Sequence, residues 1–121
     1  MKFAKIVFWI AAIWGFLILT PLYFIFDTIG RQDPPPITHP AFYYGFVGVA
    51  LAWQVGFVVI ARDPVHFRLM MIPAVLEKFS YGISLIALYL QHRLHGADVA
   101  FGGIDLLFGA LFLVAFAWTR P

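Results

Sequence analysis

Within LEKFSYG, residues 76–82, an acid and a base stand side by side in a segment whose other residues suit hydrocarbon. Glu77 and Lys78 come about nine residues into that segment, roughly 13 Å deep at 1.5 Å per residue, close to a bilayer midplane. A charge at that depth costs about 2.5–3.5 kcal/mol on insertion scales, so each needs a partner or a task. Neighbours on a helix point about 100° apart, so the two do not simply pair with each other. Glu77 shares a face with Tyr81 and Ser84, whereas Lys78 lies beside that face and can snorkel towards the headgroups. A carboxyl in a dry cavity can carry a proton or steady a developing positive charge. Glu77, Lys78 and Asp105 are therefore the candidates for chemistry, although they form no recognised catalytic set.

Depth selects their partners. Gln54 is about seven residues from the near end of its own segment, ~10 Å deep, almost level with Glu77 and Lys78. Asp105 is about six residues from the opposite end of the last segment, ~9 Å deep, and is closer in height to Ser84. A direct Lys78–Asp105 bridge would stretch both side chains against their natural lean. The expectation is a ladder rather than one ion pair: Gln54, Glu77 and Lys78 low, Tyr81 and Ser84 in the middle, Asp105 high. Pro73, one turn before Glu77, would free a backbone carbonyl one turn back, which favours a functional role for this stretch over a simple bend for packing.

The elements that must position these groups follow from composition. Of 121 residues, 63% are hydrophobic and 12% charged, against roughly half and a quarter in a soluble domain. So short a soluble chain has too little interior to bury that much apolar surface. Four apolar segments stand out: 3–26, 41–61, 69–91 and 99–118. Each is long enough to cross a ~30 Å hydrocarbon core, and in lipid each must be a helix, because unpaired backbone groups are not tolerated there. The fold class is all-α: one domain, residues 1–121, forming a bundle of four transmembrane helices. The first segment reads as a retained anchor, since ILTPLYF offers no small-residue cleavage site, and Pro21 should bend its far end. The loop DTIGRQDPPPITHP should be extended and stiffened by its prolines.

Lys2, Lys5, Arg62, Arg68 and Arg120 fall on one side, Arg31 and Arg93 on the other. That bias puts both termini in the cytoplasm, with Arg62 and Arg68 facing headgroups. The net charge of +2 is scattered rather than clustered, so no nucleic-acid partner is expected. The chain has no cysteine, which excludes disulfides, thiolate metal sites and thiol redox chemistry. No histidine lies deep in a segment, so axial haem ligation within the bundle is excluded. His39, His92 and His95 could together hold a metal, but loop histidines are usually just solvated; no metal and no cofactor is expected.

Small residues mark close helix contacts. Gly48, Ala52 and Gly56 recur every four residues, and Gly102 and Gly109 flank Asp105 on one face. Both stripes are expected to pack within the bundle; the sharper alternative is an interface with a partner.

ARDPVHFRLMMIPAVLEKFSYG and the later FGGIDLLFGALF resemble a group of small bacterial four-helix membrane proteins of unassigned function, and the layout is loosely similar to DoxX-like proteins. The resemblance implies a bacterial inner-membrane protein and carries no catalytic residue with it. The small multidrug exporters share this size, but they place an acid in the first helix, which here has none. Two functional expectations stand. One is a non-enzymatic protein acting by association with lipid around it, as a homo-oligomer or an accessory subunit of a membrane complex. The other is a binder of a lipid-like ligand, a proton-coupled transporter or an isomerase-like enzyme working through Glu77. A cavity beside Glu77 would favour the second, and a closed, packed centre the first.

Overall fold

The computed structural model describes residues 2–94 and 96–119. They fold into helices α1 (Lys2–Leu19), α2 (Phe26–Gln32), α3 (Pro40–Arg62), α4 (Met71–Leu90) and α5 (Gly96–Trp118). With flanking 3-10 turns, four of these are long and apolar enough to cross a membrane: Lys2–Tyr23, Pro40–Arg62, Arg68–Leu90 and Gly96–Trp118. The architecture is that of a multi-pass, four-helix membrane protein, as the hydropathy pattern predicts.

Pro21 acts at the far end of the first span. Its ring cannot continue the α-helical hydrogen bonding, and the chain tightens into a 3-10 turn over Thr20–Tyr23. The Leu22 carbonyl, near the end of that turn, accepts a 2.6 Å hydrogen bond from the Tyr43 hydroxyl of α3. Tyr23, Phe26, Tyr43 and Tyr44 close this end with ring contacts of 5.0–6.0 Å. One expectation is corrected here. The first half of the polar loop is not extended but forms α2, and the irregular chain begins only at the proline run.

Each span buries one stripe at helical spacing. In α1 it is Ala4, Val7, Phe8, Ala11, Ala12, Gly15 and Leu19. The helices associate as two intimate pairs, α1 with α3 and α4 with α5, joined through α1 and α5. The fourth seam, between α3 and α4, is nearly without contact although those helices are consecutive in sequence. In the half of the bundle that holds Lys2 and Thr119, the core is dry and aromatic. Phe8 and Phe112 stack at 4.1 Å, and Phe57 meets Phe112 edge-on at 5.2 Å. Arg68 also works at this end. Its Nε donates to the Phe116 carbonyl at 2.9 Å, and its guanidinium lies 3.7 Å over the Phe116 ring. Arg68 thus caps the end of α5 rather than reaching for headgroups, because the last carbonyls of a helix have no partner of their own. Arg120, counted in the charge bias, lies outside the described residues.

Candidate functional site

The buried stripe of α4 is Met71, Ala74, Lys78, Gly82 and Leu85, so the one cation of this helix occupies a core position. Lys78 is 4% exposed and does not snorkel. Its Nζ lies 3.4 Å from Asp105 Oδ1 and 3.9 Å from Glu77 Oε2. Beneath it are the faces of Phe57 and Phe108, with centroids at 5.2 and 5.6 Å. The expected ladder is therefore corrected to a cluster in which one ammonium stands between two carboxyls. Two causes bring it about. α5 starts at Gly96, three residues before the predicted 99, which sinks Asp105 by about 4.5 Å at 1.5 Å per residue. In addition, α4 and α5 approach closely at glycine: a Cβ on Gly82 would lie 2.9 Å from the Gly102 carbonyl oxygen. Asp98 sits within the first turn of α5.

Above the aromatic core, all four long helices surround a cavity of about 70 Å³, measured as room for water-sized centres. Since a water needs only about 10–15 Å³ on that measure, the space holds several. Its polar lining is Gln54, Glu77, Lys78, Tyr81 and Asp105, and Trp14, Phe46 and Phe101 supply aromatic walls. Gln54 is 1% exposed. Its Nε2 donates to the Ala50 carbonyl at 2.9 Å, while its Oε1 has no hydrogen-bond partner. Gln54 fits only because α1 has a glycine opposite: any side chain at position 15 would overlap the carboxamide. Glu77 Oε2 is likewise buried and accepts no hydrogen bond, with Lys78 Nζ at 3.9 Å. Both orphans are acceptors. The ion contacts are also longer than the roughly 2.7–2.9 Å of a tight charge-assisted bond, so the cluster is loosely closed.

Glu77 has a second outlook. On the lipid side of the open α3–α4 seam runs a groove lined by Gly45, Val49, Trp53, Ser80 and Ser84, and Phe46, Ala50, Glu77 and Tyr81 line both groove and cavity. Phe46 and Tyr81 stack across the seam at 5.8 Å. These shared residues are the partition between lipid and the polar interior.

Other expectations fall differently. Ser84 is exposed, bonds to the Ser80 carbonyl at 2.7 Å, and belongs to the groove, not the cluster. Pro73 lies in the first turn of α4, where its missing N–H would be unpaired anyway, so it starts the helix rather than freeing a carbonyl one turn back. The α5 stripe does pack inside the bundle. Gly102 is against Leu85 and Gly109 against the Phe79 ring, at 3.0 and 3.1 Å for an added Cβ. The α3 stripe does so only at Gly48: Ala52 is exposed, and an added Cβ on Gly56 would meet only Trp53 of its own helix, at 3.8 Å. Gly48 faces the Tyr23 hydroxyl. Among the described residues no group of three His, Cys, Asp or Glu side chains could hold a metal ion. His39 packs edge-on to Phe42 at 5.5 Å, and His92 ends α4 with a positive φ of 58°. His95 lies outside the described residues. Sequence reasoning missed Gly15, Trp14, Phe46 and Ala50; Gly15, breaking an apolar run, was the available signal. No protein-family model, curated protein or solved structure matches the chain.

Proposed function

We propose that the protein binds an amphipathic, lipid-like ligand, its apolar part in the α3–α4 groove and its polar end in the cavity of Gln54, Glu77, Lys78, Tyr81 and Asp105. One observation carries the reading: Glu77 faces both the lipid-side groove and the water-sized polar interior, across a seam with almost no helix contact. A purely structural clamp would be packed closed, because buried polar groups left without partners cost stability. The charge bias of Lys2, Lys5, Arg62 and Arg68 against Arg31 and Arg93 supports cytoplasmic termini, and the likeness to small bacterial membrane proteins supports a bacterial inner membrane.

The test is native mass spectrometry on gently extracted protein, wild type against Ala50→Phe. Ala50 forms part of the wall common to groove and cavity, so the larger ring obstructs the passage. Wild type should carry a lipid-sized adduct that the helical, plugged variant has lost. Bare wild type, or equal adduct on both, refutes the proposal. A second reading, association with another membrane chain, is favoured by the outward position of Ala52 between Gly48 and Gly56. It predicts a defined oligomer in the same spectrum that Ala52→Leu dissociates.

A further inference from the structure

Resting on that reading of the cavity, we infer that the polar end it accepts is a primary ammonium group, carried on an apolar chain. The charge inventory comes first. The cavity is lined by two carboxyl groups and one ammonium, so two acidic groups share a single cation. Among the described residues no further cation lines it: Arg31 of α2 and Arg93 beyond α4 bond to Thr28 and Gln91. The cations of α1, Lys2 and Lys5, and that of α3, Arg62, are at the opposite end of their helices, while Arg68 is engaged by Phe116. The one charged residue that α5 adds besides Asp105 is another acid, Asp98, in its first turn. An anionic head would meet two acids for one base.

Hydrogen-bonding capacity is the second, independent count. Gln54 Oε1, on a side chain 1% exposed, and Glu77 Oε2 are buried atoms of cavity-lining residues, and neither accepts a hydrogen bond. What is missing is a donor, and an ammonium brings three N–H donors and no acceptor. The walls agree: Trp14, Phe46, Tyr81 and Phe101 put aromatic rings around the space, and ring faces attract cations. Size sets the limit. A cavity of about 70 Å³ suits a compact –NH3+ head, whereas a trimethylated head is bulkier and brings no N–H. The groove shared through Glu77 and Ala50 then takes the chain, its apolar lining of Val49 and Trp53 leading out to lipid.

The experiment uses the full chain in phosphatidylcholine nanodiscs, with radiolabelled dodecylamine in a scintillation-proximity assay. Unlabelled dodecylamine, dodecyltrimethylammonium, dodecanol and dodecanoate serve as competitors. Expected is saturable binding, displaced at least about tenfold better by dodecylamine than by any of the others. Glu77→Gln and Gln54→Met, each checked for retained helicity, should weaken it roughly tenfold to a hundredfold, the range for a hydrogen bond to a charged group. If dodecanol or dodecanoate displaces as well as the amine, the site stands and the ammonium assignment is overturned. If no probe binds saturably, the cavity reading itself falls. Repeating the assay in phosphatidylethanolamine nanodiscs separates two sources of the same chemistry. Loss of amine binding there identifies an aminolipid headgroup as the occupant, and undiminished binding a free long-chain amine.

Discussion

Gly82→Ala tests the contact that holds the cluster together. A methyl at position 82 would lie 2.7 Å from Leu106 Cγ and 2.9 Å from the Gly102 carbonyl oxygen. Leu106 can turn aside, but a backbone oxygen cannot. Ordinary contact begins near 3.4 Å, so α4 and α5 must part by about half an ångström at this level. Overpacking of this kind costs about 1–3 kcal/mol. Alanine returns up to about 1 kcal/mol over glycine in a helix. The net expectation is a loss of about 0–2 kcal/mol. Gly45→Ala is the reference, because nothing lies within 4 Å of its Cβ and only the helical gain remains. The difference between the two variants should therefore be about 1–3 kcal/mol, read from reversible SDS unfolding in mixed micelles. The parting also acts four residues away, at Lys78. The Nζ–Oδ1 distance of 3.4 Å is already long, so the hydrogen bond to Asp105 should be lost in the variant. Equal stability of the two variants would refute the close glycine approach and with it the account of why Lys78 meets Asp105.

Two further outcomes are expected. Tyr43→Phe removes the donor to the Leu22 carbonyl and should cost about 1 kcal/mol in the same unfolding assay, with the 3-10 turn after Pro21 becoming accessible to hydrogen exchange. Lys78→Met leaves Glu77 and Asp105 without their shared cation and should cost about 1–2 kcal/mol, at the upper end for interhelical polar contacts; adding Asp105→Asn should restore part of the loss, and strict additivity would argue against the coupling.

The four spans were legible because hydrocarbon imposes length and composition on anything that crosses it, and Pro21 was legible because its ring has no N–H. The direction of Lys78 was not. In a segment apolar nearly all round, Met71, Ala74, Gly82 and Leu85 look no more core-like than Ile72, Leu76 or Ile83, which turn out exposed. Periodicity finds a buried face only when the opposite face is polar. Asp105 was set too high because the apolar run starts only at 99, although the helix already begins at Gly96. The α2 helix escaped because seven mostly polar residues carry too little pattern. The cavity depends on Gly15 meeting Gln54 and on α3 standing apart from α4, relations between distant segments that no local spacing encodes.

The open α3–α4 seam is tied at one end only. There the chain crosses directly from Arg62 to Met71, and Arg68 is fastened to the end of α5. At the other end no linker joins the two helices, and one ring pair, Phe46 and Tyr81, spans the gap. The seam is thus joined by chain at the turn and by side chains alone at the far end. On the proposed binding reading, guests with tails of different girth would change the spacing at the untied end and leave the seat beside Lys78 in place. Selectivity on that reading would follow headgroup chemistry and ignore acyl composition.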